Sequence, residues 1–148
     1  LAVNPYDYSD GLVYIDDPSG RIAEGNTKTD GIVVSSKQLW AMGNYARFVR
    51  PGMQRVGASV GSAGSGSKDL LVSAYRDAAT RALVVVVVNE GTDARMLSLD
   101  QGAGLRIKGG EWNTYSTTAE ENLKRGYADV EACQVPAQSV VTLTGTYE

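Results

Sequence analysis

The sequence predicts a mainly β protein: an antiparallel β-sandwich of about eight strands preceded by one α-helix. Three observations carry that expectation. From Met53 onward, short apolar runs alternate with Gly, Asp and Ser turn signals, the texture of a sandwich. Five consecutive valines, Val84–Val88, are far too few to span a bilayer and suit a strand buried on both faces. Ahead of both, Leu39, Met42, Ala46 and Val49 recur at three- and four-residue spacing, the period of a helix with one apolar face.

Taken in order, residues 1–34 are irregular, with Asn-Pro, Asp-Pro-Ser-Gly and Thr-Asp-Gly marking turns and Gly11–Asp16 offering one short strand. A helix follows over residues 35–50. Ser35 is placed to cap it, and Gln38, three residues on, is placed to reach back in a capping box. Pro51 lacks an N–H and disfavours helix at Arg50, so the helix stops there and Gly52 completes the turn. Strands are expected at Met53–Ala58 and Leu70–Arg76, with Gly61–Ser67 a flexible surface loop by composition. Ala82–Asn89 is the next strand, and Asn89–Asp93 turns into Ala94–Leu99, whose alternation sets Arg95, Leu97 and Leu99 against Met96. Leu105–Lys108, Glu111–Tyr115, Ala128–Gln134 and Ser139–Tyr147 complete the set. Between them, Ser116–Lys124 suits a single helical turn capped by Thr118, with Glu120 and Glu121 at its positive end.

The chain has 148 residues, the length of one domain with a genuine core. Its 43% hydrophobic and 21% charged content sets it apart from disordered and membrane classes, so no membrane partner is expected. A net charge of −3 argues against nucleic acid, whose phosphates need a basic surface. There is no His, which excludes Ser–His and Cys–His triads and His-ligated zinc. Cys133 stands alone, without a disulfide partner or metal-ligand spacing, and reads as a small semi-buried strand residue. No cofactor or metal is expected. No signal peptide is visible, and Leu1–Val3 looks like the tail of a strand cut mid-element, which suggests a piece of a longer protein.

The stretch Leu39–Val56, LWAMGNYARFVRPGMQRV, resembles the last barrel helix of the family 30 glycoside hydrolases, of the form ALGNFSRFIRPG followed by xRI. The matching residues are Ala41–Gly52 with Arg55 and Val56. Further on, Asp69–Arg76 and Leu83–Gly91 resemble that family's VxAY…LVVVxxN hairpin. Trp112–Leu123 resembles its YxTSxxxNL segment, and Val135–Leu143 its IPAxSVTTL final strand. The resemblance implies that Leu1–Val3 ends the eighth barrel strand, Asn4–Val34 is the loop after it and Ser35–Arg50 is the eighth helix. Residues 1–52 would then close an otherwise absent (β/α)₈ barrel, and 53–148 would be the side β-sandwich. In the family, that sandwich also borrows strands from the N-terminus of the full chain.

A retaining glycosidase of this kind uses two carboxyl groups about 5–5.5 Å apart. In the family both are glutamates on the fourth and seventh barrel strands, upstream of Leu1, so no catalytic residue is expected here. Glu24, Glu90, Glu111, Glu120, Glu121, Glu131 and Glu148 match no catalytic motif, and Asp16-Asp17 beside Pro18 and Gly20 reads as a solvated turn. The loop position would let Asn4, Tyr6 and Tyr8 bind substrate as one wall of the cleft, or pack the loop against the barrel. Family members that recognise glucuronic acid carry an Arg in this loop, whereas residues 4–20 hold no Lys or Arg and four aspartates. An acidic loop repels a uronate, which points to neutral β-1,6-galactan or undecorated xylan. Trp40 and Trp112 are expected in core or interdomain packing. Arg47 and Arg50 should anchor the junction through carbonyls or acids.

The resulting expectation is the C-terminal portion of a secreted glycoside hydrolase acting on cell-wall polysaccharide. Its partner would be the upstream (β/α)₈ barrel, in the same chain or a separate one. A non-catalytic carbohydrate-binding module is the alternative, drawing on Trp112, Tyr115, Tyr127 and Tyr147. A purely structural sandwich is another, but leaves the helix unexplained.

Overall fold

A computed structural model describes residues 11–16, 32–61, 67–100 and 104–148. The expected strand end at Leu1–Val3 and residues 62–66 of the glycine–serine loop lie outside these. The first pair of strands is β1 (Val13–Asp16) and β2 (Ile32–Ser35), antiparallel with Val13 opposite Ser35. Helix α1 (Lys37–Ala46) follows at once. The sandwich then comprises β3 (Gln54–Val56), β4 (Leu70–Arg76), β5 (Ala82–Asn89), β6 (Arg95–Leu97), β7 (Glu111–Thr117), β8 (Lys124–Asp129), β9 (Cys133–Val135) and β10 (Ser139–Thr146). Those eight strands and one helix match the fold class read from the sequence.

Six strands form one antiparallel sheet in the order β3-β4-β5-β10-β7-β8, and β6 pairs with β9 in a second. Register assigns the faces. Val141 lies opposite Val87 and Leu143 opposite Val85, so these residues share one face with Leu83. With Trp112, Cys133, Val135 and Tyr147 they form the buried core beneath the second sheet. Val84 and Val86 point the other way and are also buried, because α1 crosses that face. Val84–Val87 are therefore covered on both sides, as an all-apolar strand requires, and Val88 is half-buried. Cys133 is fully buried, and burial pushes its thiol pKa up.

Several boundaries differ from the sequence expectation, each for a local reason. The cap is Ser36, not Ser35: its Oγ accepts from Leu39 N at 3.2 Å, so Gln38 is not in box position. Ser35 instead ends β2 and accepts from Trp40 Nε1 at 2.9 Å. The α-helix ends at Ala46 rather than Arg50, and residues 47–49 continue as hydrogen-bonded turns, with Phe48 N and Val49 N both on Tyr45 O. Arg50-Pro51-Gly52-Met53 is then a tight turn closed by Met53 N on Arg50 O at 3.1 Å, with Gly52 at φ 93°, the left-handed position of a type II turn.

Ile32–Ser35 is a strand within the stretch expected to be irregular. Leu105–Lys108 reduces to one bridge between Ile107 and Tyr147. Ala128–Gln134 is two strands, because Asp129 turns the chain: its Oδ1 accepts from Glu131 N at 2.9 Å and its carbonyl from Ala132 N. Residues 118–123 hold no helical turn. Thr118 Oγ1 does accept from Glu120 N and Glu121 N, but the chain passes straight into β8.

The β4–β5 hairpin turns on Asp77, whose Oδ1 accepts from Ala79 N at 2.8 Å. That bond, then those from Thr80, hold the carboxyl below the usual carboxylate range. A depressed carboxylate stabilises the fold above its unfolded pKa and loses that contribution as pH falls through the folded value. The Asp77 carboxyl should therefore titrate by NMR at lower pH in the folded protein than after unfolding. Equal midpoints would show that the turn bonds are absent in solution.

Candidate functional site

Helix α1 lies over β7 and β10, and what joins them is polar. Asn44 is 0% exposed. Its Nδ2 donates to Thr117 Oγ1 at 2.8 Å and to Trp40 O at 3.2 Å. Thr142 Oγ1 lies 2.7 Å from Asn44 O and 3.0 Å from Asn44 Oδ1, to which it donates. On the next residue, Tyr45 Oη shares a hydrogen bond with Ser73 Oγ. The opposite face of the helix is the apolar one. Met42 is 54% exposed and, with Tyr45, Ala46 and Val49, lines an open cleft of about 420 Å³. Of the periodic apolar residues, Met42, Ala46 and Val49 line this cleft and Leu39 is half-buried. β2 is also open, with Val33 69% exposed.

Two features flank the helix on the sheet. At its start a cleft of about 330 Å³ runs between Lys37 and Ala41 on one side and Val88, Thr118 and Ser139 on the other. Lys37 Nζ is engaged with Asn122 Oδ1 at 2.6 Å and Glu121 O. Among the described residues, no carboxylate lines either cleft.

At the helix end, Phe48 packs on Tyr115 with ring centroids 4.3 Å apart, and the Arg47 guanidinium sits 5.6 Å from both centroids. Next to them Arg125 lies 5.2 Å over the ring of Tyr127 and donates twice to Asn113 Oδ1. Glu121 pairs with Lys124, which with Ser116 holds its carboxyl below the usual range.

The residues expected to bind substrate, Asn4, Tyr6 and Tyr8, lie outside the described residues, as do Glu24 and Asp17. Trp112 is a core residue, 3% exposed, and Trp40 is half-buried. Arg50 donates to a carbonyl, but to that of Ala46 at the end of α1, four residues back, so the bond is local and does not span the expected junction. Arg47 stacks on rings and, among the described residues, pairs with no acid or carbonyl. Of the four aromatics open to a binding module, Trp112 and Tyr147 are buried, Tyr115 is half-buried and Tyr127 is exposed. Sequence periodicity missed Asn44, since it registers hydrophobes and not a polar residue turned inward.

No family model matches the chain. Among solved structures, it is similar to a conserved exported protein from Bacteroides fragilis, at 26% identity and TM-score 0.71 over 90% of this chain and 26% of that one. It is similar to a GH30 endoxylanase from Clostridium papyrosolvens C71, at 26% identity and TM-score 0.59 over 76% of this chain and 28% of that one. It shares its fold with the glycoside hydrolase family 30 subfamily 8 xylanase Xyn30A from Clostridium acetobutylicum, at 24% identity and TM-score 0.62 over 82% of this chain and 30% of that one. The chain thus spans under a third of the length of each. In fold it is a glycoside hydrolase-related domain.

Proposed function

We propose that this chain is the C-terminal portion of a secreted family 30-like glycoside hydrolase that cleaves a neutral β-linked cell-wall polysaccharide, β-1,6-galactan or xylan. The similarity to the GH30 endoxylanase, 26% identity across 76% of this chain, carries the reading. The helix–Arg-Pro-Gly–strand order supports it independently, since the helix end, the type II turn and β3 follow one another as the resemblance requires. Residues 1–52 would belong to the barrel and 53–148 to the sandwich. The retaining glutamates would lie upstream, and Asn4, Tyr6 and Tyr8 would line the cleft.

The upstream barrel is the proposed partner. The outward apolar face of α1 and the open strand β2 supply surface for it, because exposed apolar patches of this kind mark interaction sites. Secretion fits the exported protein among the structural relatives.

On this reading the 148-residue chain by itself has no glycosidase activity. The test is to assay it on β-1,6-galactan, xylan and an aryl β-glycoside, beside the same chain joined to its upstream sequence. Turnover should appear only in the longer protein. Turnover by the short chain that survives removal of contaminating enzymes would sink the assignment.

A further inference from the structure

We infer that the open face of β7 and β8 beside the helix end is a binding platform for a pyranosyl unit of a polysaccharide, built on Tyr127, Arg125 and Asn113. The inference goes beyond the proposed function and does not depend on which bond, if any, the parent protein cleaves.

Register brings the residues together. Asn113 lies opposite Tyr127 and Tyr115 opposite Arg125, so all four project from the helix side of the sheet. Tyr127 is 58% exposed although its strand is paired along its length with β7. Arg125 stacks over that ring, and its Nε and Nη2 both donate to Asn113 Oδ1, at 3.1 and 2.7 Å. The guanidinium is thereby held in one plane, which an exposed arginine left to itself is not. Asn113 Nδ2, Arg125 Nη1 and Tyr127 Oη make no hydrogen bond among the described residues. A largely exposed aromatic ring, with Arg125 over one side of it, and unspent donors thus occupy one patch.

That pairing fits a sugar. A pyranose offers a C–H face that stacks on an aromatic ring and a rim of hydroxyls that need directional partners. Other ligands fit less well. A nucleic acid would meet Glu111 and Asp129, the next register pair on the same face. An added β-strand would meet an edge carrying Lys124, Arg125 and Asp129, charges of the kind that blunt edge pairing.

The test uses the intact protein that carries this chain. Its migration is measured in native gels containing soluble β-1,6-galactan, xylan or polygalacturonan, together with its melting temperature. At least one polymer should retard it, and Tyr127→Ala and Arg125→Ala should each weaken that binding about tenfold with little change in melting. Selective retardation by polygalacturonan would assign a carboxylate to Arg125, and equal retardation by the neutral polymers would assign the ring stack. Unchanged retardation of the Tyr127→Ala protein overturns the inference. So does a fall in melting temperature of several degrees in that variant, since a ring covered by polypeptide gives that result. A platform that binds while no polymer is cleaved removes the proposed activity alone. Cleavage without any effect of Tyr127→Ala removes the platform alone.

Discussion

Replacing Asn44 with alanine is expected to cost about 2–4 kcal/mol and to loosen α1 from the sheet. The side chain is fully buried and makes bonds to Thr117 Oγ1, Trp40 O and Thr142 Oγ1. Leaving a buried polar group without its partner costs about 1–3 kcal/mol, and truncation adds a cavity. Two hydroxyls soften the loss. Thr142 keeps Asn44 O as an acceptor, and Thr117 keeps Leu123 N as a donor at 3.2 Å. The total should therefore sit in the middle of that range and not at the sum of all bonds. Asn44→Asp keeps the shape but replaces the amide donor that faces Trp40 O, so it should be no milder at neutral pH. Chemical denaturation of the intact protein measures the cost, and amide exchange over residues 37–46 reports the helix. An unchanged midpoint with unchanged exchange would show that the network holds nothing together.

The same residue marks how far the sequence could be read. Elements that announce themselves by composition were legible: the valine strand, the Pro51-Gly52 turn, and the alternation that leaves Met96 out and Leu97 in. Edges were not. Strand β8 begins Lys-Arg-Gly-Tyr, without apolar alternation, because an edge strand has little core to bury. Strand β2 runs Ile-Val-Val with every residue exposed, so no period-two pattern separates it from a loop. At the helix start two adjacent serines both satisfy the capping rule. Only geometry chooses Ser36, whose Oγ reaches Leu39 N.

The candidate site was legible only by resemblance. Helix periodicity marks Leu39, Met42, Ala46 and Val49 as the face that seeks cover, and it is silent about the polar face that the sheet holds. Helix α1 holds the sheet through Asn44 and Tyr45 while Met42 and Val49 line the open cleft. The tyrosines expected to touch substrate, Tyr6 and Tyr8, lie outside the described residues. Of the platform residues only Tyr127 was legible, among the aromatics open to a binding module; Arg125 and Asn113 escaped because nothing marks them until register sets them beside that ring.

Gly145→Ala is expected to destabilise the sandwich by about 3 kcal/mol, a large cost for one methyl group. Gly145 pairs with Leu83 in the central ladder, and the ring of Trp112 lies against its backbone. A Cβ there would be 2.6 Å from Trp112 Cζ2 and closer still to Cδ2 and Cε2, distances at which something must move. Neither partner is free to do so. Trp112 is 3% exposed in the core and its Nε1 donates to Lys108 O at 3.0 Å, so turning the ring breaks that bond. The β10 backbone is held by its ladders to β5 and β7. Trp112→Leu should also be costly, by about 3 kcal/mol, since it leaves a cavity. The double variant should cost less than the two single changes added, by about 1–3 kcal/mol, because the leucine makes room for the methyl. Urea unfolding of all four proteins gives the cycle. Strict additivity would mean that Trp112 and Gly145 do not touch in solution, and a mild Gly145→Ala would mean that the core absorbs the methyl without moving the ring.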